Sequence, residues 1–176
     1  NPENTVPRMR IANIDWENWQ PEMIGTLLFV LQDDQVLLIR KKRGLGAGKI
    51  NGPGGKVEGD ETPLDCAIRE TEEELFITAK KIRFAGEAFF HAEDMPRIHV
   101  FAYIATEYEW TPTETDEAIP IWFPIDAIPF DEMWEDDELW LGAALGGSSF
   151  RGWFSFEAES LLDYKLEILP GHPISD

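Results

Sequence analysis

The sequence is poor in cysteine, in basic residues and in long apolar runs. It has 1 Cys among 176 residues, and 15 Lys and Arg stand against 34 Asp and Glu, for a formal net charge of −19. A single Cys rules out a disulfide within the chain, which is typical of a reducing compartment. The shortage of Lys and Arg argues against binding of a nucleic-acid polymer through its phosphates. No secretory signal and no apolar run of membrane-spanning length is evident, so we expect a cytoplasmic protein without membrane contact.

Apolar residues are plentiful by contrast. The chain is 43% hydrophobic and 12% aromatic, which suffices for the core of one domain. Two β-rich runs, 23–31 and 35–42, flank a polar turn and predict a hairpin. Strands interleave with helices along the rest of the chain, which predicts helices packed on a mixed β-sheet, an α/β or α+β sandwich. We expect further strands near 81–90, 97–105, 118–125, 150–156 and 161–169, an acidic helix from Pro63, and a second helix at 131–145.

The acidic helix carries an unusual run of glutamates in GGKVEGDETPLDCAIRETEEEL (54–75). Thr62 is a good N-cap and Pro63 suits the first helical position. One stripe of the helix is predicted to face the core, and it contains Leu64, Ile68, Thr71 and Leu75. A separate arc contains Glu70, Glu73 and Glu74. Spacing alone leaves two alternatives open for this arc, a solvated acidic face or a site for Mg²⁺ or Mn²⁺.

A glycine-rich segment with lysines, KKRGLGAGKINGPGGK (41–56), precedes the acidic helix. Such a segment lets the backbone approach a ligand and offers N–H groups and ammonium charges to phosphates. It fits neither the P-loop pattern nor G-x-G-x-x-G. Taken alone, the segment is better interpreted as an ordinary flexible loop. Beside a group of carboxylates, however, the segment predicts a cradle for a metal-bound diphosphate.

The spacing of Gly55, Glu61 and Arg69-Glu70-Thr71-Glu72-Glu73-Glu74-Leu75-Phe76-Ile77 resembles the Nudix box, G-x5-E-x7-R-E-U-x-E-E-x-G-U, where U is a bulky aliphatic residue. Every charged position of the box matches. Two positions depart from it, because Thr71 stands at an aliphatic position and Phe76 replaces the usual Gly. Since that Gly normally permits the turn after the helix, we expect a different helix exit here.

The resemblance implies a Nudix-type α/β/α sandwich with a mixed β-sheet and a Mg²⁺-dependent hydrolase, with Mn²⁺ as an alternative metal. It implies that Arg69 orients the glutamates and that Glu61 steadies the junction of loop and helix. These two residues form the implied catalytic set together with Glu70, Glu73 and Glu74. The implied metal ligands are the same three glutamates, the carbonyl of Gly54 and, beyond the helix, Glu117.

Closer similarity joins the chain to one group in that family. The stretches GLGAGKINGPGGKVEGDE, TETDEAIPIWFPIDAIPFDEMWEDDELW and FRGWFSFEAESLLDYKLEIL resemble the oxidised purine nucleoside triphosphatases, which are 8-oxo-dGTP diphosphatases. This resemblance implies that Asn51 contacts the base, that Trp134 stacks on it, and that Asp136 and Asp137 form a carboxylate pair in the pocket. The other implied substrate-binding residues are Thr26, Lys41, Gly54, Gly55 and Lys56.

An alternative from the residues alone is that Trp134 and Trp140 are core aromatics of an amphipathic helix. The acids at 135–138 would then form its solvated first turn. Ile50 and Pro53, beside Asn51, and Glu135 depart from the group, so we expect a reshaped pocket wall.

The implied reaction converts a purine nucleoside triphosphate such as 8-oxo-dGTP or 2-hydroxy-dATP to a monophosphate and pyrophosphate. The alternatives are hydrolysis of another diphosphate, such as a nucleotide sugar, a prenyl diphosphate or a methylated purine nucleotide, and a non-catalytic Nudix domain that senses a nucleotide. The partner is thus expected to be a small-molecule nucleotide, bound by a monomer. We expect one Nudix domain at 23–170, an N-terminal extension at 1–22 and a C-terminal tail at 171–176.

Overall fold

A computed structural model describes residues 6–174 of the chain. Residues 1–5 of the predicted extension and 175–176 of the predicted tail lie outside the described residues. The helices are α1 (Pro63–Leu75) and α2 (Asp137–Leu145). The strands are β1 (Met23–Gln32), β2 (Gln35–Lys41), β3 (Ile50–Asn51), β4 (Thr78–Ala92), β5 (Ile98–Glu109), β6 (Ala118–Pro124), β7 (Ser149–Glu157) and β8 (Ser160–Leu169). The strands expected from the sequence are therefore confirmed.

The strands of residues 6–174 form one mixed sheet in the order β3-β2-β1-β5-β4-β7-β8, and β6 pairs with β2. The hairpin expected between β1 and β2 is present, and the pair is antiparallel. Asp33 and Asp34 at its turn have φ values of 51° and 62°, as a two-residue type I′ turn requires. Two strand pairs are parallel, β1 with β5 and β4 with β7. Strands β5 and β4 therefore lie in the centre of the sheet, between β1 and β7.

Alternate residues of the central strands point to two separate cores. Leu28 and Val30 of β1 pack in a cluster with Ala67 and Leu75 of α1. On the other face, Phe29 packs in a cluster with the buried hydrophobic residues of α2, which are Trp140, Leu141, Ala144 and Leu145. Since side chains alternate across a strand, the two helices cover opposite faces. The α/β/α sandwich is thus confirmed.

Helix α1 begins as the sequence predicts. Thr62 Oγ1 accepts a hydrogen bond of 3.1 Å from the backbone N–H of Asp65, and Pro63 is the first helical residue. Thr71 is fully buried, and its hydroxyl donates to the carbonyl of Ala67 at 2.8 Å. A hydroxyl at this aliphatic position of the box is thereby satisfied within the helix.

Phe76 ends α1 in the left-handed conformation, with φ 59° and ψ 32°. Its N–H donates to the carbonyl of Glu72 at 2.8 Å. Glycine favours this conformation at helix ends because it lacks a Cβ. The expectation of a different helix exit is therefore wrong, because Phe76 adopts the backbone conformation that suits glycine, with its ring 60% exposed.

The second helix is shorter than the predicted 131–145. Phe130–Glu132 form a single 3-10 turn, and α2 starts only at Asp137. Between them Met133 is extended, with φ −111° and ψ 176°, and its side chain is buried. This break places Trp134 in an irregular segment and Asp136 and Asp137 at the start of α2. Among the described residues, 6–174, no helix combines the length and apolarity needed to cross a membrane.

Candidate active site

A cavity of about 350 Å³ opens beside the face of the sheet that α2 covers. That volume lies in the range of small-molecule sites, roughly 300–1,000 Å³. The cavity is bordered by β1, the glycine-rich segment, the end of β4 and the start of α2. All substrate-binding residues expected from the resemblance line it, namely Thr26, Lys41, Asn51, Gly54, Gly55, Lys56, Trp134, Asp136 and Asp137.

Three carboxylates converge beside this cavity. Glu70, Glu74 and Glu117 each offer an oxygen, and these oxygens lie within 4.8 Å of one another. Glu74 also lines the cavity, so the carboxylate cluster and the cavity share a residue. Carboxylate oxygens are the ligands that hard divalent cations prefer. The donor set therefore fits a cation such as Mg²⁺ or Mn²⁺.

Glu74 is buried, with 5% of its surface exposed. Its Oε2 accepts a hydrogen bond of 3.0 Å from the N–H of Gly54. Burial raises the pKa of Glu74 to about 8, the nearby Glu70 and Glu117 raise it as well, and the Gly54 N–H acts in the opposite direction. The alternative of a solvated face is thus wrong for Glu74. A buried carboxylate beside two others is an arrangement that a bound cation stabilises.

Gly54 and Gly55 allow the glycine-rich segment to pack closely against β1 and α1. A Cβ on Gly54 would lie 1.8 Å from the carbonyl oxygen of Thr26, and a Cβ on Gly55 would lie 2.4 Å from the carboxyl carbon of Glu70. Only glycine leaves room for this approach of loop, strand and helix. The assignment of the Gly54 carbonyl as a metal ligand stays a prediction.

Glu73 does not join the carboxylate cluster. Its side chain is 53% exposed, and its Oε2 lies 3.2 Å from Nη1 of Arg69. Glu70 and Glu74 are one turn apart and share a side of α1, whereas Glu73 is rotated from Glu74 by about 100°. The structure thus separates Glu73 from the other expected metal ligands, because the rotation directs it toward Arg69.

Arg69 connects the loop, the helix and the cluster. Its Nε and Nη2 bind both oxygens of Glu61 at 3.0 and 2.6 Å. Its Nη1 donates to Oε1 of Glu70 at 2.9 Å. The hydrogen bond from Arg69 holds the pKa of Glu61 at about 2, with help from the N–H of Glu58. A guanidinium clamped in this bidentate way fixes the orientation of the Glu70 carboxylate.

Glu117 reaches the cluster from the loop before β6. Thr113 N–H donates to the carbonyl of Leu75 at 2.9 Å, and Thr115 Oγ1 donates to the carbonyl of Glu74 at 2.8 Å. These bonds satisfy carbonyls at the C-terminal end of α1 and hold the loop there. Glu117 Oε1 also pairs with Arg43 at 2.9 Å. Tertiary contacts, rather than helical spacing, therefore place the carboxylate of Glu117 beside those of Glu70 and Glu74.

Aromatic and amide groups lie in the rest of the cavity wall. Trp134 packs edge-to-face on Phe156, with ring centroids 5.9 Å apart, and the ammonium of Lys49 lies 5.1 Å from its centroid. Asn51 Oδ1 accepts a hydrogen bond of 2.8 Å from the N–H of Gly52. Trp140 is instead a core residue, 1% exposed. The core-aromatic interpretation is thus right for Trp140, whereas Trp134 lines the cavity.

Asp136 and Asp137 are both only 2% exposed, so the interpretation as a solvated first turn is wrong. Asp136 Oδ2 accepts a hydrogen bond of 2.8 Å from Nε1 of Trp140. Within residues 6–174, the buried Oδ2 of Asp137 has no hydrogen-bond partner. Burial raises the pKa of Asp136 to about 6. Burial and the neighbouring Asp136 raise the pKa of Asp137 well above its usual value.

This pair can present a donor and an acceptor side by side. Two adjacent buried carboxyls resist double ionisation, so one of them retains a proton near neutrality. A protonated carboxyl donates a hydrogen bond and an ionised one accepts. A buried polar atom normally has a hydrogen-bond partner. A ligand in the cavity can provide that partner for Asp137.

Sequence reasoning missed the apolar part of the wall. Phe90, Met95, Pro96 and Phe156 all line the cavity, and none was singled out from the sequence. Phe90, Met95 and Pro96 come from the end of β4 and the loop after it, whereas Phe156 comes from β7, far along the chain. The alternation of β4 is the one local signal for Phe90, since it shares a face with the buried Ala88. The loop residues carry no such signal.

Comparison with known proteins places this site in a family. The family model described as NUDIX domain matches residues 21–142 of the chain. The chain is 42% identical over 146 residues to a Danio rerio protein named oxidized purine nucleoside triphosphate hydrolase, covering 81% of this chain and 92% of the relative. The protein of the same name from Mus musculus is 41% identical over 145 residues, with 80% and 92% covered.

A solved structure supports the same assignment. The crystal structure of the mMutator MutT protein from Bacillus halodurans matches with a TM-score of 0.74 and 28% identity, covering 82% of this chain and 97% of that one. The family resemblance found in the box at 55–77 is thus confirmed over most of the chain. The chain belongs to the Nudix hydrolase family.

Proposed function

We propose that this protein hydrolyses oxidised purine nucleoside triphosphates, such as 8-oxo-dGTP or 2-hydroxy-dATP, to the nucleoside monophosphate and pyrophosphate, and so clears damaged nucleotides from the pool. One observation carries this proposal. A single cavity has the carboxylate Glu74 at one place in its wall and Asn51, Trp134 and the Asp136–Asp137 pair elsewhere in it. The names of the zebrafish and mouse relatives point to the same substrates.

We assign the metal site to Glu70, Glu74 and Glu117, with Mg²⁺ as the cation and Mn²⁺ as a substitute. When bound, a divalent cation neutralises phosphate charge and lowers the pKa of a water molecule for attack on phosphorus. Arg69 holds Oε1 of Glu70 in place, and Glu61 holds Arg69. Lys41 and Lys56 line the same cavity and supply positive charge for the polyphosphate, which the net charge of −19 otherwise repels.

The base is recognised by the remaining polar groups of the wall. Asn51 offers an amide, which both donates and accepts on a base edge. Trp134 offers a flat apolar surface for stacking. The Asp136–Asp137 pair offers one donor and one acceptor. It therefore recognises a purine edge on which oxidation has changed the pattern of hydrogen-bond donors and acceptors.

The test is pyrophosphate release in the presence of Mg²⁺, measured as kcat/KM on a panel of substrates. The panel contains 8-oxo-dGTP, 2-hydroxy-dATP, a methylated purine triphosphate, the four ordinary dNTPs, a nucleotide sugar and a prenyl diphosphate. The proposal expects an oxidised purine to be preferred over dGTP by at least about tenfold. Equal turnover of all triphosphates would refute the proposed purine pocket. Turnover of the nucleotide sugar or the prenyl diphosphate alone would refute the proposed reaction. Binding of a nucleotide without turnover would indicate a sensor.

A further inference from the structure

Residues 6–22 form an N-terminal strap that packs on the sheet ahead of β1. The strap contains two 3-10 turns, Pro7–Met9 and Ile11–Asn13. Met9 and Ile11 are buried, with 4% and 9% of their surface exposed. The N–H of Ile11 donates to Oδ2 of Asp163 in β8 at 2.9 Å. Nearly all of the strap lies outside the matched domain, which begins at residue 21.

The C-terminal half of the strap contacts the end of β4, just before the β4–β5 connection. Trp19 Nε1 donates to Nδ1 of His91 at 3.2 Å, and the Trp19 ring packs edge-to-face on Phe89, with centroids 5.9 Å apart. Burial lowers the pKa of His91, which keeps its imidazole neutral and Nδ1 available as an acceptor. Because Nδ1 accepts, the imidazole proton lies on Nε2.

The strap also contacts the far end of the same connection. Arg97 Nε donates to the carbonyl of Gln20 at 2.9 Å, and Arg97 pairs with Glu22 at 3.1 Å. The N–H of Glu22 donates to the carbonyl of Arg97 at 2.8 Å. At the other end of the strap, Arg8 pairs with Glu93 at 2.9 Å. The strap is thus bonded to His91 and Arg97, which flank residues 92–96, and to Glu93 within that segment.

The loop between those contacts is a wall of the cavity. Ala92, Met95 and Pro96 line it. Met95 packs against the same hydrophobic cluster as Phe90 and Trp134, and Trp134, the proposed stacking ring, lines the same cavity. A short loop held at its two ends has fewer conformations than a free one. The strap therefore limits how far the wall moves from the bound base.

We propose that the strap is a specificity-determining element, which positions the wall of Ala92, Met95 and Pro96 and thereby sets the discrimination between an oxidised and an ordinary purine. Trp19 acts as a positioning residue through His91, and Glu22 acts through Arg97. This inference rests on the proposed function, since it concerns the base in the same cavity. A pocket that fits one added atom discriminates by roughly 10- to 200-fold, and a looser wall lowers that ratio.

The test compares Trp19→Ala, Trp19→Phe and Glu22→Gln with the wild-type chain. Asn18→Ala is the matched control, because Asn18 lies in the strap and its side chain bonds to Asp15 instead of the loop. The readout is the ratio of kcat/KM for 8-oxo-dGTP to that for dGTP. Trp19→Ala is expected to lower this ratio at least about fivefold through a higher KM for 8-oxo-dGTP, with kcat within about twofold of wild type.

Trp19→Phe keeps a ring against Phe89 and removes the N–H, so it is expected to lower the ratio less than Trp19→Ala does. Glu22→Gln is expected to act in the same direction, and Asn18→Ala leaves the ratio unchanged. If Trp19→Ala fails to fold, the two milder variants decide. Ratios within about twofold of wild type in every folded variant would overturn the strap as a specificity element.

Calorimetric titration with 8-oxo-dGMP and dGMP repeats the comparison without turnover. A wild-type preference for 8-oxo-dGMP that Trp19→Ala reduces supports the strap even where no triphosphate is hydrolysed, which would refute only the proposed reaction. Hydrolysis with an unchanged ratio refutes only the strap. A wild-type protein that hydrolyses none of the triphosphates and binds neither monophosphate overturns both.

Discussion

Nε1 of Trp140 donates a hydrogen bond of 2.8 Å to Oδ2 of Asp136, one turn away at the start of α2. Trp140 is itself fixed by stacking on Phe150, with ring centroids 4.3 Å apart. The core thus orients one carboxyl of the pair, while Asp137 beside it keeps a buried oxygen without a partner among residues 6–174. Because both carboxyls are buried, they make the stability of the protein depend on pH.

The first prediction concerns that pH dependence. Burial raises the pKa of Asp136 from 3.8 to about 6 and raises the pKa of Asp137 as well. A carboxyl whose folded pKa is raised stabilises the fold fully below its unfolded pKa, and this contribution is lost as the pH rises through the folded pKa. Asp137→Asn removes much of that loss. As the pH rises from about 4 through neutrality, wild type should therefore lose free energy of unfolding relative to Asp137→Asn.

Urea unfolding at several pH values measures this difference. Asp126→Asn is the control, because Asp126 is exposed and its removal should leave the pH dependence of wild type unchanged. Parallel pH curves for wild type and Asp137→Asn would show that the pair does not titrate as the burial indicates.

The second prediction concerns the end of α1. Phe76 is left-handed and exposed, and a residue with a Cβ is strained there by roughly 1–2 kcal/mol. Phe76→Gly should raise the free energy of unfolding by about 0.5–1 kcal/mol, since glycine loses more chain entropy on folding and offsets part of the gain. Urea unfolding measures the change, and kcat/KM should stay at the wild-type value. Phe76→Ala keeps the Cβ and should gain nothing, so equal stabilisation by both variants would argue against backbone strain.

Much of the fold follows from local patterns. Alternation predicted the strands, the Asp33–Asp34 turn predicted the first hairpin, and Thr62 with Pro63 predicted the start of α1. The predicted start of the second helix at residue 131 was wrong, because Met133 is buried in an extended conformation and interrupts the helix. That outcome depends on packing against the sheet, which helical periodicity does not contain.

The site was predictable where residues are close in the sequence or matched by resemblance. Helical spacing grouped Glu73 with Glu70 and Glu74 on one broad arc, and the pairing of Glu73 with Arg69 showed that it is separate from them. The approach of Glu117 depends on bonds of Thr113 and Thr115 to the end of α1, which no local pattern signals. The N-terminal segment was recognised as an extension, but its packing was not predictable, since Trp19 bonds to His91, 72 positions away.

The third prediction concerns the guanidinium of Arg69. Arg69→Lys keeps the charge and loses the bidentate contact with Glu61 and the bond to Glu70. We expect kcat/KM to fall by about 10- to 100-fold, with a higher Mg²⁺ concentration at half-maximal rate, as for other groups that orient metal ligands. Glu61→Gln should have an effect in the same direction. Combined in one chain, the two changes should cost less than the product of their single effects, and fully multiplicative effects would show that Arg69 and Glu61 act separately.

The last prediction separates two neighbouring glutamates. Glu74 belongs to the carboxylate cluster, whereas Glu73 is half exposed and pairs with Arg69. Glu74→Gln should therefore lower kcat/KM by at least about 100-fold, and Glu73→Gln by less than about tenfold. Titration of each variant with Mn²⁺, followed by electron paramagnetic resonance, should show weaker binding for Glu74→Gln alone. Equal loss of Mn²⁺ binding in both variants would mean that Glu73 turns from Arg69 to the cation when the cation binds, and the assigned ligand set would then have to include it.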